Sequence, residues 1–157
     1  MTMNTEIRKV IQSDIPHLKK VLDSSELFPS DLLDDMIHDY LKNESSTDIW
    51  FTSTKDGIPI SIAYCAPERM TMGTYNLYAI AVQKDQQGKG IGKSMMEYIE
   101  NKLREENHRI LIVETSGKSE FELTREFYLK CNYVSQAVIP EFYEEGDDKV
   151  VFWKKLK

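Results

Sequence analysis

The chain is poor in residues that build metal sites and disulfides. Its 157 residues include two cysteines and three histidines. Cys65 and Cys131 have no metal-ligand spacing, and no histidine has a second ligand three or four positions further on. We therefore expect no bound metal, and two reduced cysteines that pack inside an intracellular protein.

Long apolar runs and basic clusters are also missing. The apolar runs are far shorter than the roughly 20 residues that a membrane-spanning helix needs, and the first residues lack the basic and apolar regions of a signal peptide. The net charge is −6, whereas binding to nucleic acid needs clustered Lys and Arg. These features predict a cytoplasmic protein that binds neither a membrane nor a nucleic acid.

The overall composition is that of a globular enzyme-sized domain. The chain is 41% hydrophobic and 29% charged, which excludes a disordered segment. Its length is near the most common domain size and allows a substantial core. It contains no internal repeat and no low-complexity tract. We expect one domain spanning residues 1–157.

Hydrophobic periodicity predicts a mixture of strands and helices. Ser13 and Ser30 are candidate N-caps for the first two helices, and the pair Asp56-Gly57 is a strong hairpin signal. In the helix after residue 90, an apolar residue recurs every four positions, at Ile91, Met95, Ile99 and Leu103. The predicted strands are 5–11, 49–54, 58–66, 74–82, 109–115, 132–138 and 149–156, and the predicted helices are 13–22, 30–42, 91–106 and 119–130.

The most informative segment is glycine-rich and lies between a predicted strand and a predicted helix. Residues 86–94 have the sequence Gln-Gln-Gly-Lys-Gly-Ile-Gly-Lys-Ser. Glycines allow a tight turn and close approach to a ligand, and the first N–H groups of the helix point outward at its positive end. This arrangement favours an anion site, most often for phosphate.

Two familiar nucleotide motifs do not fit this segment. A P-loop ends in Gly92-Lys93-Ser94 as required, but Gln87 stands where its first glycine should be. The dinucleotide fingerprint would begin at Gly88 but needs a glycine where Lys93 stands. P-loop-like nucleotide binding is therefore only a third and improbable interpretation.

The pattern Gln/Arg-x-x-Gly-x-Gly/Ala does fit, at residues 87–92. Together with residues 7–9 and Asp14 near the start and Arg-Glu-Phe-Tyr-Leu-Lys-Cys-Asn-Tyr at 125–133, it resembles the GNAT superfamily of acyl-CoA N-acyltransferases. The resemblance covers nearly the whole chain. It implies an α/β (α+β) fold with a mixed, mostly antiparallel central sheet, a splayed pair of parallel strands, and helices on both faces.

The same resemblance implies acetyl-CoA as the acetyl donor. Backbone groups at the end of the 74–82 strand would pair with the pantetheine amides, and N–H groups of the glycine-rich segment would hold the pyrophosphate. Lys89 would meet the 3′-phosphate or remain solvated, and two residues of the fourth helix would lie beside the cofactor. The implied cofactor-binding residues are Ile80, Ala81, Val82, Gln87, Gly88, Lys89, Gly90, Gly92, Lys93, Ser94, Thr124 and Phe127.

Catalytic candidates follow from the resemblance and from general acid–base chemistry. Tyr128 resembles the tyrosine that protonates the departing thiolate in many GNAT enzymes, although a phenol on an amphipathic helix is also an ordinary packing residue. The base remains open between Glu114, Tyr78 and a relay through Asn76. Two positions depart from the family pattern: Phe121 replaces an asparagine, and Asn132 replaces a glycine that it can mimic in a left-handed turn.

The implied activity is direct transfer of an acetyl group to an amine, with a small-molecule amine favoured. The acidic, aromatic segment 139–148, predicted as a loop, could select a cationic amine or be an ordinary solvated loop. Relatives often form dimers, so a homodimer is possible. A non-catalytic acyl-CoA-binding or sensing module is the main alternative.

Overall fold

The computed structural model describes residues 5–157. This part of the chain forms four α-helices and eight β-strands. The helices are α1 (Ile15–Ser25), α2 (Leu33–Lys42), α3 (Ile91–Glu105) and α4 (Glu122–Lys130). The strands are β1 (Thr5–Lys9), β2 (Ile49–Lys55), β3 (Ile58–Pro59), β4 (Ser61–Pro67), β5 (Thr74–Val82), β6 (Ile110–Ser116), β7 (Val134–Glu144) and β8 (Asp147–Lys155).

The strands form one mixed sheet in the order β1-β2-β4-β5-β6-β8-β7, with β3 paired to β2. β5 and β6 are parallel, from Thr74–Ile110 to Leu77–Val113. The pairs β1–β2, β2–β3, β2–β4, β6–β8 and β7–β8 are antiparallel. The predicted mixed, mostly antiparallel sheet is confirmed. Helix α3 lies in the chain between the two parallel strands, as a parallel connection requires.

The chain divides into two compact units. The first comprises residues 5–66 and 78–99, and the second comprises residues 67–77 and 100–157. The core of the first unit combines the apolar faces of α1 and α2 with Trp50 of β2 and Ile62 of β4. Each such side chain contributes about 1.5–3 kcal/mol when it leaves water. The buried members are Val10, Ile15, Leu18, Val21, Leu22, Leu33, Ile37, Trp50 and Ile62.

The second unit contains a buried carboxylate with its hydrogen-bond partners in place. Glu100 is 5% exposed. Its carboxylate accepts a hydrogen bond from the hydroxyl of Tyr133 at 2.7 Å and another from the ammonium of Lys154 at 2.8 Å. Lys154 also donates to the carbonyl of Cys131. Because a buried charge is tolerated only when it is paired, these contacts explain how Glu100 is accommodated.

The turn from β1 into α1 corrects two expectations. The strand ends at Lys9 rather than at residue 11, and Ser13 does not cap the helix. Asp14 occupies the N-cap position, but its carboxylate makes no capping hydrogen bond to α1. It accepts hydrogen bonds from the N–H of Ile11 at 2.9 Å and from Arg8 at 2.7 and 2.9 Å. A carboxylate held by a guanidinium fork is a stronger local constraint than a serine hydroxyl.

The start of α2 differs from expectation in a similar way. Residues Ser30–Leu32 form a 3-10 turn, so the α-helix begins only at Leu33 and Ser30 makes no capping hydrogen bond. Leu32 is exposed, whereas Leu33 and Ile37 are buried. The apolar face therefore begins one residue later than the sequence pattern suggests.

The glycine-containing hairpin and the α3 face follow the predictions. Asp56 and Gly57 both have positive φ, 53° and 83°, as the tight turn between β2 and β3 requires. Met95, Ile99 and Leu103 are fully buried. Asn132 has φ 68°, so it adopts the left-handed conformation expected of it.

The segment 139–148 is mostly strand, which corrects the prediction of a long loop. β7 continues to Glu144 and β8 begins at Asp147, with a turn at Gly146 (φ 80°). The register shifts between Ile139 and Glu144. Every residue of β7 is exposed, so its carboxylates stay in water and the hairpin tolerates charges that suggested a loop.

Two further features concern membrane-spanning helices and metal sites. Within residues 5–157, none of the helices combines the length and apolar character needed to cross a bilayer. In the same range, no group of three or more His, Cys, Asp and Glu side chains is placed to hold a metal ion.

Candidate functional site

The glycine-rich segment of the first unit links the end of β5 to α3. It contains a 3-10 turn at Lys84–Gln86, followed by Gly88 and Gly90 with φ of 77° and 80°. A Cβ at either glycine would meet no atom within 4 Å. Glycine is therefore required by the backbone conformation, and the space beside the segment is open to a ligand.

Several hydrogen bonds fasten this segment to its surroundings within the first unit. Gln87 Nε2 donates to the carbonyl of Val82 at 3.0 Å, and the Lys84 N–H donates to Ser24 Oγ at 3.1 Å. The Gln83 N–H donates to the carbonyl of Ile60 at 2.8 Å. A segment held at these points presents its backbone in a defined conformation before any ligand arrives.

Helix α3 begins directly after Gly90. The Ser94 N–H donates to the carbonyl of Gly90 at 3.1 Å, which is the first hydrogen bond of the helix. The N–H groups of Ile91, Gly92 and Lys93 therefore have no acceptor within the helix. Together with the helix dipole, they form a donor set that fits a phosphate group.

Cationic and hydroxyl side chains surround this helix end. Lys93 and Ser94 are exposed on the first turn. Lys89 is also exposed, and its ammonium donates to Gln86 Oε1 at 3.2 Å. The predicted pyrophosphate residues thus lie together at one end of α3, where positive charge and N–H donors suit a phosphate-bearing cofactor.

The end of β5 extends beyond its pairing with β6. The parallel register ends at Leu77–Val113, whereas β5 continues for five residues to Val82. Ile80, Ala81 and Val82 are half-buried. The predicted pantetheine-binding backbone therefore lies outside the β5–β6 ladder.

Tyr78 belongs to a row of aromatic rings across three strands of the first unit. Its ring stacks on Tyr64, with centroids 5.6 Å apart, and Tyr64 stacks on Trp50 at 4.3 Å. Burial, and then the charge of Asp48, raise the pKa of Tyr64 to about 12. Tyr78 is 52% exposed at the end of the row. Tyr64 escaped sequence reasoning because stacking across strands depends on their register.

Tyr128 lies on α4 in the second unit and is 5% exposed. Its ring contacts Phe127, Tyr133 and Phe152, with centroids 5.4, 6.1 and 5.5 Å away. Burial raises the pKa of its phenol well above the ordinary value. Tyr128 therefore keeps its proton at neutral pH and can donate it, but cannot act as a base there.

Two other predicted residues share this helix. Thr124 lies one helical turn before Tyr128 on the same face of α4, Phe127 directly precedes Tyr128, and both are half-buried. Phe121, the position where the family pattern has an asparagine, ends the preceding 3-10 turn and is 40% exposed. The second unit thus places Thr124, Phe127 and Tyr128 close together.

Glu114 of β6 takes part in a charged network in the second unit. Its Oε1 accepts a hydrogen bond from Asn76 Nδ2 at 2.8 Å, and its Oε2 lies 2.5 Å from the ammonium of Lys149. Asn76 Nδ2 also donates to Glu68 Oε1 at 2.7 Å. The Lys149 ammonium lies 3.9 Å from the centre of the Phe142 ring.

Glu68 and Lys149 were missed by sequence reasoning. Glu68 lies in the polar stretch between β4 and β5, which has no periodicity, and Lys149 begins the strand predicted at 149–156, directly after the segment predicted as a loop. The acidic, aromatic composition of 139–148 was the available signal. That composition indicated a binding segment, but it did not indicate that Lys149 pairs with Glu114.

Comparison with known proteins agrees with this geometry. The family model of the acetyltransferase (GNAT) domain matches residues 46–135. An uncharacterised N-acetyltransferase of Methanocaldococcus jannaschii is 30% identical over 89 residues, covering 55% of this chain and 54% of that protein. The chain thus spans about half the length of this curated relative.

Solved structures give the same fold over nearly the whole chain. A protein of Desulfovibrio desulfuricans, assigned as an acetyltransferase of the GNAT family, has a TM-score of 0.91 at 26% identity and covers 98% of this chain and 100% of its own. A Bacillus subtilis acetyltransferase in complex with CoA has a TM-score of 0.71 at 19% identity, with coverage of 99% and 100%.

The family model covers more than half of the chain, and the matched residues include the glycine-rich segment, Glu114 and Tyr128. On this basis the protein belongs to the GNAT family of acetyltransferases.

Proposed function

We propose that this protein transfers an acetyl group from acetyl-CoA directly to the amine of a small molecule. The observation that carries the proposal is the helix end at Gly90, where a positive-φ glycine precedes three N–H groups that lack an acceptor within the helix. In a member of the GNAT family, such a donor set suits the pyrophosphate of CoA.

The cofactor-binding residues divide into three groups in this proposal. The N–H groups of 87–92, with Lys93 and Ser94, hold the pyrophosphate, and Lys89 lies near the 3′-phosphate. The backbone of Ile80, Ala81 and Val82, which is outside the β5–β6 ladder, pairs with the pantetheine amides as an added strand would. Thr124 and Phe127 contact the cofactor from α4.

Bound acetyl-CoA supplies an acetyl thioester whose carbonyl carbon is open to attack by a neutral amine. In the proposed mechanism, Tyr128 donates its phenolic proton to the departing sulfur. Its raised pKa keeps that proton in place until it is needed. A positioned acid of this kind contributes about 10²–10⁴-fold to a rate.

The contacts of the candidate residues narrow the choice of the base that takes the proton from the amine. Both Glu114 oxygens already accept donors, from Asn76 and Lys149, which favours a role in binding a cation. Tyr78 is half-exposed at the end of an aromatic row. We propose that Tyr78 lines the acceptor site and passes the proton to solvent through water.

Direct transfer is favoured over an acetyl-enzyme intermediate. Cys65 is fully buried, and burial raises the pKa of its thiol well above the ordinary value. Cys131 is 6% exposed. Because the thiolate is the nucleophilic form, a buried thiol of this kind is inert.

The first test is calorimetric titration of the purified protein with acetyl-CoA and, separately, with Mg-ATP. Thiol release from acetyl-CoA is then measured over a panel of amines. Micromolar binding of acetyl-CoA and amine-dependent thiol release are expected. Binding without release on any amine would favour the non-catalytic sensing module, and binding of ATP alone would favour the P-loop interpretation.

A further inference from the structure

A buried amide in the second unit joins two carboxylates. Asn76 is 1% exposed, and its Nδ2 lies 2.7 Å from Oε1 of Glu68 and 2.8 Å from Oε1 of Glu114. An ionised carboxylate only accepts hydrogen bonds, so the NH2 group has to be the part of the amide that faces both carboxylates. These contacts fix the orientation of the amide and use both of its N–H bonds.

The oxygen of the same amide has no partner. Asn76 Oδ1 is buried and accepts no hydrogen bond from any of residues 5–157. Buried polar atoms are nearly always paired, so an exception needs an explanation. Because Oδ1 is carried on the same carbon as the NH2 group that binds Glu68 and Glu114, a donor that reaches it joins the same cluster of polar groups.

The charges around this amide favour a cationic donor. Two acidic side chains, Glu68 and Glu114, contact the amide, and the Lys149 ammonium pairs with Glu114. The β7–β8 hairpin adds further carboxylates within the same unit, of which Glu144 is paired with Lys118 at 2.9 Å. The hairpin carboxylates are Glu141, Glu144, Glu145, Asp147 and Asp148.

A primary ammonium group matches these acceptors in number. It has three N–H donors and no acceptor. The cluster offers three accepting groups: the Asn76 oxygen and the carboxylates of Glu68 and Glu114. Each carboxylate has about four lone-pair positions, so it can accept from a ligand while it also accepts from Asn76.

A cation held in this way is a poor nucleophile. An amine has to be neutral to attack a thioester, whereas two carboxylates and an amide oxygen stabilise its charged form. Binding energy from a part of the substrate that does not react can instead position the part that does. The cluster is therefore suited to an ammonium group other than the one that is acetylated.

We propose that Glu68, Asn76 and Glu114 bind a second, non-reacting ammonium group of the acceptor, so that the acceptor carries at least two amino groups. This inference rests on the proposed transfer of acetyl to an amine. The cluster defines the acceptor class as linear diamines and related polycations, and it makes Glu68 and Asn76 determinants of specificity.

The binding part of the proposal is tested without turnover, by NMR titration of the protein with 1-aminobutane. Butyltrimethylammonium, which has the charge but no N–H donor, is the comparison ligand and should bind about tenfold more weakly. Glu68→Gln keeps the shape of the side chain and should weaken binding of 1-aminobutane about tenfold. The exposed Glu105→Gln makes the same chemical change outside the cluster and should leave binding unchanged.

A second variant moves the affinity in the opposite direction. Lys149→Gln removes the positive charge beside Glu114 and should tighten binding of 1-aminobutane several-fold. Thermal unfolding monitored by circular dichroism shows whether each variant is folded. Two results would overturn the cation site. One is equal binding of 1-aminobutane and butyltrimethylammonium by the wild type. The other is an unchanged affinity for 1-aminobutane in both Glu68→Gln and Lys149→Gln when these variants are folded.

Turnover then separates the two proposals. With acetyl-CoA, a series of linear diamines should release thiol, whereas 1-aminobutane should inhibit that release competitively. If no amine releases thiol but 1-aminobutane still binds through Glu68, the proposed function fails and the cation site stands. If monoamines and diamines react equally well in both the wild type and Glu68→Gln, the cation site fails and the proposed function stands.

Discussion

The ammonium of Lys149 lies 2.5 Å from Oε2 of Glu114. The two side chains are only 12% and 23% exposed, so the ion pair is largely shielded from water. Asn76 donates to the other oxygen, so each oxygen of the carboxylate that the sequence offered as a base already has one partner within the protein. A change at Lys149 should therefore affect stability as well as ligand binding.

We expect Lys149→Met to lower the free energy of unfolding by about 1–3 kcal/mol. The substitution keeps the aliphatic length but leaves Glu114 without its countercharge and removes the cation from the Phe142 ring. Urea denaturation measures the change. Lys118→Met is the matched control, because its 2.9 Å pair with Glu144 is more exposed, is screened by water, and should change the free energy of unfolding far less. Equal losses in the two variants would contradict the prediction.

Tyr128→Phe should lower kcat about 10²-fold while the KM for acetyl-CoA changes little. The ring contacts with Phe127 and Phe152 remain, so the fold should be retained. Because burial raises the pKa of Tyr128, the wild-type kcat should show no loss from phenol ionisation below about pH 10. Steady-state kinetics against pH measures both effects.

Tyr133→Phe is the control for this substitution. Its ring neighbours that of Tyr128, but its hydroxyl donates to the buried Glu100. Removing that donor should cost about 1–3 kcal/mol of stability and leave kcat near the wild-type value. An unchanged kcat in Tyr128→Phe would exclude the phenol as the acid.

The elements that could be predicted from sequence are those set by local periodicity and turn chemistry. The four-residue repeat from Met95 to Leu103 and the Asp56-Gly57 turn correspond to features of the backbone itself. The glycine-rich segment belongs to the same class, because positive φ at Gly88 and Gly90 is a local requirement.

The features that could not be predicted depend on pairing between distant segments. The contact of Asn76 with Glu68 and Glu114 requires two strands and a connecting segment to meet. The long β7–β8 hairpin is similar, since its charged residues are accommodated only because β7 is exposed along its length. Ser13 failed as a cap because Arg8 fixes Asp14 in the same turn, which composition does not show.

Gly90→Ala should weaken binding of CoA about tenfold. A non-glycine residue at φ 80° is strained by about 1–2 kcal/mol, and relief of that strain would move the N–H groups that begin α3. Gly146→Ala is a close control: it has the same φ of 80°, equally open space, and lies in the β7–β8 turn. Calorimetry should find normal CoA affinity in this control, although both variants lose stability. Equal CoA affinity in the two variants would remove Gly90 from the proposed site.

The cysteines provide a test of direct transfer. Cys65 is fully buried with a raised pKa, and Cys131 is 6% exposed. Iodoacetamide at about pH 8 should label neither thiol in the folded protein within the time that labels both in urea. Cys65→Ala and Cys131→Ala should each keep acetyl transfer, at a cost in stability from the small cavity that each creates. Loss of transfer in a folded cysteine variant would instead support an acetyl-enzyme.

The ion pair between Arg8 and Asp14 should make stability depend on pH in the acid range. Burial alone would raise the pKa of Asp14, but the hydrogen bonds from Arg8 and from the Ile11 N–H bring it below the ordinary value. A lowered pKa in the folded state means that the carboxylate stabilises the fold fully above the unfolded pKa of about 3.9. That contribution is lost as the pH falls through the folded pKa.

Asp14→Asn should therefore lower the free energy of unfolding by about 1–3 kcal/mol at about pH 7, and the difference from wild type should shrink towards about pH 2. Urea denaturation at a series of pH values measures this difference. Asp34→Asn is the control, because its 2.6 Å pair with Lys19 is exposed and should contribute less than about 1 kcal/mol at any pH. A difference between Asp14→Asn and wild type that persisted unchanged at low pH would show that Asp14 acts through its shape and hydrogen bonds rather than through its charge.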